Sequence, residues 1–132
     1  KIEKIFSRSE ILMDTIVTIK VVDTDENHAE KAINKVFSEL KKLEYYFDNF
    51  DPKSDISRIN RQAGIKAVNV SDDTIKLLTV ARKITNMSNG AFDISVGVIT
   101  SLYDFHKKIL PDINKIKDKL SYVNYKDIIV KP

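Results

Sequence analysis

The residues best suited to chemistry form the pentapeptide Asn89-Gly90-Ala91-Phe92-Asp93, which follows a predicted helix. Glycine and a small neighbour let backbone N–H groups approach a ligand closely, and the Asp93 carboxylate follows directly. The spacing matches neither a phosphate-binding loop nor a dinucleotide fingerprint. Two interpretations therefore stay open for this segment, namely a ligand-binding turn or an ordinary helix end.

A second candidate is the segment 47–60, in which Phe47 and Phe50 stand beside a polar turn and the start of a short helix. An accessible aromatic ring next to a turn could offer a planar ligand a stacking surface. The alternative is a corner between two helices whose aromatic rings lie in the core.

Several other chemistries find no support in the sequence. The chain has no cysteine, which excludes disulfides, thiolate nucleophiles and cysteine-based zinc sites. The two histidines, His28 and His106, are far apart and lack neighbouring ligands, so we expect solvent-facing helix residues rather than a metal site. No G-x-S-x-G nucleophile motif occurs.

Strands and helices alternate along the chain and must position these candidates. Alternating apolar residues predict a strand over 14–22, with a weaker strand over 2–6 pairing with it. Apolar residues at a spacing near 3.6 predict an amphipathic helix over 27–47. Shorter strands are predicted at 67–70 and 127–130, and further helices at 98–108 and 112–120.

Capping residues predict two more helices. Ser54 begins a short helix that ends near Gln62. Ser71 begins a longer helix, which Ser88-Asn89-Gly90 ends because asparagine and glycine accept the left-handed conformation. The predicted buried stripe of the longer helix is Ile75, Leu78, Ala81 and Ile84.

Length and composition indicate one ordinary domain with its own core. The chain has 132 residues, of which 42% are hydrophobic and 31% charged, and a net charge of +3. The predicted class is α/β or α+β, with a mixed or antiparallel sheet packed against amphipathic helices. Lysine clusters at 107–108 and 115–119 predict solvated helix faces, and we expect no nucleic-acid partner.

Taken in order, several separated segments resemble the front part of the ApbE-type FAD:protein FMN transferases, formerly described as thiamine biosynthesis lipoproteins. The family shows M-G-T, F-S-x-Y-x-x-x-S-x-(I/L)-S-x-(I/L)-N, G-G-A-F-D-x-(T/S)-V-G-P-L and an L-W-G-F-like block. The corresponding segments here are Met13-Asp14-Thr15, Phe47 to Asn60, Asn89 to Gly97 and Leu102-Tyr103-Asp104-Phe105. Among the positions that depart from the pattern, Asp14 replaces glycine, Phe50 replaces tyrosine, and Tyr103 replaces tryptophan.

The resemblance implies a partial ApbE-like fold in which residues 1–132 form the N-terminal portion of a flavin transferase domain. It implies a Mg²⁺-dependent enzyme that uses FAD as substrate and transfers FMN to a threonine of a target redox protein. The positions that match the family's FAD contacts are Met13, Phe50, Ala91, Phe92 and Asp93. We expect Phe50 and Asp93 to form two walls of one cleft. The catalytic residues stay unassigned.

The resemblance also carries expectations about the whole protein. The family's metal-binding aspartate and threonine lie in a C-terminal half beyond this sequence, so we expect the chain alone to be inactive and to expose apolar surface that favours a homodimer. It implies a bacterial cell-envelope protein, held on the outer side of the cytoplasmic membrane by a lipid anchor outside this chain. Three alternatives stay open: an FAD pyrophosphatase that produces FMN and AMP, a non-catalytic flavin-binding or interaction module, and an unrelated α/β domain.

Overall fold

The computed structural model describes residues 2–131, which contain two β-strands, five α-helices and two short 3₁₀ helices. The chain divides into two compact units, Lys1–Thr74 and Ile75–Pro132. The class is α+β with an antiparallel sheet, which confirms the predicted class. The elements are β1 (Lys4–Leu12), β2 (Thr15–Asp23), α1 (Glu26–Phe47), α2 (Asp55–Gln62), α3 (Asp72–Met87), α4 (Gly97–Thr100) and α5 (Ile113–Leu120).

Strands β1 and β2 form a hairpin with a two-residue turn. Leu12 lies opposite Thr15, and Met13 and Asp14 between them have φ of +51° and +56°. Positive φ at both central residues is the signature of the type I′ turn, which matches the twist of a hairpin. Asp14 is therefore a turn residue rather than the start of the strand. The predicted pairing is confirmed, but β1 extends well beyond the predicted 2–6.

The core of the first unit lies between one face of the hairpin and α1. Leu12, Ile33 and Phe37 are buried there. The alternating residues of the predicted strand lie on the inner face as expected, and α1 matches its predicted helix within one residue. The partly buried residues that pack against this cluster are Phe6, Val17, Ile19, Val21 and Leu40.

The sequence predicts only part of strand β1, because the inner face of this strand carries charges. Arg8 donates to Glu30 at 3.3 Å and to Asn34 at 2.7 Å, and its guanidinium lies 5.0 Å from the centre of the Phe37 ring. Glu10 pairs with Lys41 at 2.7 Å. These contacts let a polar sequence occupy a core-facing strand, since each charge has a partner.

Helix α3 begins and ends as predicted, but the prediction of its buried stripe is wrong at one residue. Leu78 and Ala81 are buried, whereas Ile84 is exposed. The neighbouring buried positions are taken by Thr74 and Thr85. A threonine fits there because its hydroxyl finds a partner, as when Thr85 donates to the carbonyl of Ala81 at 3.0 Å.

Three predicted elements are corrected in the described part of the chain. The helix predicted at 98–108 ends at Thr100, because the backbones of Asp104 and Ile109 pair and close a turn that includes His106. His106 is therefore an exposed turn residue rather than a helix residue. The segments 67–70 and 127–130 form no strand. By contrast, the helix predicted at 112–120 is confirmed as α5, and Asp112 is its cap rather than its first residue, with the Asp112 side chain accepting from the Asn114 N–H at 2.7 Å.

No helix among the described residues is both long and apolar enough to cross a bilayer.

Candidate functional site

The turn that carries Ala91, Phe92 and Asp93 begins where α3 ends. The Gly90 N–H donates to the Thr85 carbonyl at 2.9 Å and the Asn89 N–H to the Asn86 carbonyl at 3.3 Å, with Asn89 at φ +51°. This bond pair is a Schellman cap, and asparagine is one of the few residues that tolerates its left-handed position. The cap ends the helix, and Ala91, Phe92 and Asp93 follow it directly.

The backbone of Ala91 and Phe92 is already partly engaged by Ser88. The Ala91 N–H donates to the Ser88 carbonyl and the Phe92 N–H to the Ser88 hydroxyl, both at 3.1 Å. The backbone groups that these two residues can offer a ligand are therefore their carbonyl oxygens, which accept rather than donate.

Asp93 uses its carboxylate to join two parts of the second unit. Oδ1 accepts from the Ser95 N–H at 2.8 Å and the Ser95 hydroxyl at 2.7 Å, and Oδ2 accepts from the Tyr125 N–H at 3.1 Å. Burial alone would raise the pKa of Asp93, but the bonds from Ser95 and then Tyr125 outweigh it and lower the pKa. An ionised carboxylate oxygen has two acceptor positions, so Oδ2 keeps one for a ligand N–H or O–H.

An open depression of about 310 Å³ lies over this turn. Its volume is at the lower end of small-molecule sites, so it can hold one ring system rather than a whole dinucleotide. The predicted site residues Ala91, Phe92 and Asp93 all line it, together with Gly90, Ile94, Val96 and Val123. The structure thus brings these three predicted residues to one concave surface.

Met13 lies in the hairpin turn of the first unit. Its side chain is 45% exposed, and its N–H donates to the Glu44 carboxylate near the end of α1. The hairpin turn is therefore attached to the last turns of α1. Because Met13 is partly exposed, its thioether can pack against a ligand ring.

Phe50 lies in the loop that follows α1 and is 86% exposed. The alternative that its ring belongs to the core is therefore wrong, whereas Phe47 is partly buried. Met13 and Phe50 belong to the first unit, and 91–93 belongs to the second. The single cleft formed by Phe50 and Asp93 therefore stays a prediction.

Sequence reasoning missed a buried polar cluster around Asp55. Its carboxylate accepts from Ser71 N–H at 2.7 Å, the Thr74 hydroxyl at 2.7 Å and the Arg58 guanidinium at 2.6 Å. Burial would raise the pKa of Asp55, but these bonds outweigh it and lower the pKa from 3.8 to about 2. The available signal was an acidic residue placed directly after a capping serine, with an arginine one turn later.

The residues described do not form a complete Mg²⁺ site. Within 2–131, no three histidine or carboxylate side chains come close enough to hold a metal ion. Mg²⁺ is often held by one or two carboxylates plus phosphate oxygens and water, so a partial contribution from this chain would not produce such a cluster.

These features define an α+β protein with candidate binding surfaces for a planar, polar ligand. The sequence model of the ApbE family matches residues 13–132, so the chain belongs to the ApbE family.

Relatives and solved structures agree with this assignment. A protein from Klebsiella pneumoniae (strain 342), named FAD:protein FMN transferase, is 25% identical over 129 residues, and one from Chlamydia trachomatis with the same name is 32% identical over 80. The alignments cover 96% and 61% of this chain. The chain spans 40% of the Klebsiella relative and 24% of the Chlamydia one.

The fold is shared with ApbE proteins of known structure. The crystal structure of the ApbE protein from Thermotoga maritima superposes with a TM-score of 0.87 at 22% identity, covering 97% of this chain and 42% of that one. The flavinyl transferase ApbE from Pseudomonas stutzeri, in its apo form, gives 0.80 at 19% identity, covering 94% and 41%. The partial ApbE-like fold is therefore confirmed.

Proposed function

We propose that this chain is the FAD-binding, N-terminal portion of a Mg²⁺-dependent FAD:protein FMN transferase. Membership of the ApbE family and the names of the relatives support the reaction class. The single observation that carries the proposal for this chain is the depression over the turn at 91–93, which Ala91, Phe92 and Asp93 all line.

The chemistry of this turn suits a nucleobase-like ring. Flavin and adenine rings both carry N–H donors on their edges, and the spare acceptor position of Asp93 Oδ2 and the Ala91 and Phe92 carbonyls match such donors. The Phe92 ring is exposed beside them and can contact the face of a planar ligand. We infer that this turn holds one ring of FAD.

Met13 and Phe50 contribute two further FAD contacts in this proposal. Met13 offers an adaptable thioether and Phe50 an exposed ring, and both surfaces pack well against aromatic ligands. Phe50 retains the ring of the family tyrosine but has no hydroxyl, so its contact with FAD is limited to stacking.

Binding can be tested by titrating FAD into the 132-residue chain and following flavin fluorescence. We expect saturable binding that Asp93→Asn weakens about ten-fold or more, since one charged hydrogen bond is worth about 1.5–3 kcal/mol. Ala91→Leu fills the depression without removing a hydrogen bond, and we expect it to weaken FAD binding similarly. Ala67→Leu, at an exposed position outside the depression, is the matched control. Equal affinity in all four proteins would refute the proposed site.

We further propose that this chain is inactive without the remainder of the enzyme. The relatives are more than twice as long, and the described residues hold no complete metal site. With Mg²⁺ and FAD, we expect neither AMP release nor FMN transfer to a threonine-bearing acceptor protein. AMP release without transfer would instead support the FAD pyrophosphatase, and steady turnover of either kind would contradict inactivity.

The proposed partner of the full-length protein is a redox subunit that bears the acceptor threonine, and the proposed location is the outer side of the cytoplasmic membrane on a lipid anchor. The family resemblance supports both. Fractionation of cells that express the full-length gene tests the location, and recovery in the soluble cytoplasmic fraction would oppose it. We also propose that the purified chain forms a homodimer, and sedimentation of the chain tests this.

A further inference from the structure

The exposed ring of Phe50 lies on a loop that side chains of α2 hold in place. A ring that is 86% exposed gains little from packing, so its position depends on the backbone that carries it. Within the loop, the Phe50 N–H donates to Asp48 Oδ1 at 2.7 Å and the Lys53 N–H to Asp51 Oδ1 at 2.8 Å. These local turns shape the loop but do not attach it to the unit.

Helix α2 supplies the attachment through three side chains. The Ser57 hydroxyl donates to the Asn49 carbonyl at 2.9 Å, and the Asn60 amide donates to Asn49 Oδ1, also at 2.9 Å. The Arg61 guanidinium donates to the Pro52 carbonyl at 3.2 Å. Residues three and four apart share one face of a helix, so a single face of α2 holds the loop on both sides of Phe50.

Helix α2 is itself held in place by contacts that its opposite face makes. Asp55, in its first turn, is buried and bonded to Ser71 and Thr74, and Arg58 bonds both Asp55 and the Asn69 carbonyl at 2.7 Å. A buried carboxylate with this many donors has one favourable position, because moving it would leave a charge unpaired. The face that holds the loop therefore has a fixed base.

We propose that Ser57 and Asn60 are positioning residues that hold the Phe50 ring ready to stack on FAD. The inference rests on the proposed function and extends it to two residues that do not touch the ligand. Fixing a stacking surface before binding removes the cost of ordering it during binding. Residues Ser57 and Asn60 thereby contribute to affinity through Phe50 and not through contacts of their own.

The chain contains no tryptophan, so Phe50→Trp creates a single fluorescent reporter at the loop. Because Phe50 is exposed, we expect this substitution to preserve both the fold and the stacking surface. Time-resolved anisotropy then reports the mobility of the indole, and quenching by FAD reports stacking. Both are measured in the Phe50→Trp background with Asn60→Ala, with Ser57→Ala, and with Ser57→Thr, which retains the hydroxyl.

The matched control is Ser9→Ala, which removes an exposed hydroxyl pair with Thr18 (2.7 Å) on the hairpin. We expect Asn60→Ala and Ser57→Ala to lower the reporter's anisotropy and to weaken FAD binding about three- to ten-fold. We expect Ser57→Thr and Ser9→Ala to match the parent in both measurements. All variants should retain the parent's melting temperature within a few degrees.

The outcomes separate this inference from the proposed function. If FAD quenches the reporter equally in the parent, in Asn60→Ala and in Ser57→Ala, the positioning role is overturned while the FAD site stands. Lower anisotropy in these variants without any FAD quenching of the parent reporter would overturn the stacking role of Phe50, and with it the first-unit part of the proposed function.

Discussion

Asp55→Asn provides a quantitative test of the buried cluster that supports α2. Asp55 is 5% exposed and its pKa is lowered from 3.8 to about 2. A difference of nearly two pKa units corresponds to about 2 kcal/mol of stability from the ionised form. The amide has the same shape but loses the charge that pairs with Arg58 and places an N–H₂ among donors. We expect Asp55→Asn to lower the free energy of unfolding by about 2–4 kcal/mol at pH 7.

The sign of the pH dependence follows from the lowered pKa. A carboxylate with a lowered pKa in the folded state contributes its stability above the unfolded pKa, here near 4, and loses it as the pH falls through about 2. The parent should therefore lose about 2 kcal/mol over this window that Asp55→Asn cannot lose. The stability difference between the two proteins should shrink as the pH falls.

Urea denaturation of both proteins between pH 7 and pH 2 measures this difference directly. The matched control is Asp112→Asn, because asparagine caps a helix as well as aspartate does and Asp112 is exposed. We expect the control to match the parent within about 0.5 kcal/mol at pH 7. A constant difference between the parent and Asp55→Asn over the whole pH range would refute the lowered pKa.

Two further predictions concern the first unit. Asp14→Gly should raise the free energy of unfolding by about 0.5–1 kcal/mol, and Asp14→Ala should lower it, because φ of +56° suits glycine and strains alanine; thermal melting distinguishes the two signs. Phe37→Ala should cost about 3–5 kcal/mol in urea denaturation because Phe37 is 2% exposed. By contrast, the adjacent residue Val36 is 43% exposed, so Val36→Ala should lower the free energy of unfolding by under about 1 kcal/mol. Equal losses in the two variants would contradict the core assignment.

The parts of the fold that the sequence predicted are those with local causes. Helix α1 has a regular apolar spacing over about six turns and a capping Asp25, so its bounds were predicted within one residue. The end of α3 was predicted from Asn89 and Gly90, since few other residues accept positive φ. These signals act within one turn and need no tertiary information.

The wrong predictions depended on distant partners. A strand exists only where another strand supplies its hydrogen bonds, and the segments 67–70 and 127–130 have none among the described residues. Their carbonyls are used otherwise, as when Asn69 accepts from Arg58 and Ile128 from Arg82. β1 was underestimated for the same reason, because the partners of Arg8 lie on α1.

The candidate site shows a similar division. The motif around Ala91 and Asp93 was found from sequence, and the structure places both on one depression. The use of Asp93 to join Ser95 and Tyr125 required coordinates, since Tyr125 lies 32 positions further along the chain. The family pattern around Ser57 and Asn60 acquires a physical reason in the structure, because both side chains hold the loop that carries Phe50.

The most direct test of the central claim is an NMR titration of the isotopically labelled 15.1 kDa chain with FAD. We predict saturable amide shifts at Met13, Phe50, Ala91, Phe92 and Asp93, with AMP and FMN each reproducing a part of the pattern. Shifts confined to other residues, or none at millimolar FAD, would contradict the claim that these five positions bind the flavin nucleotide.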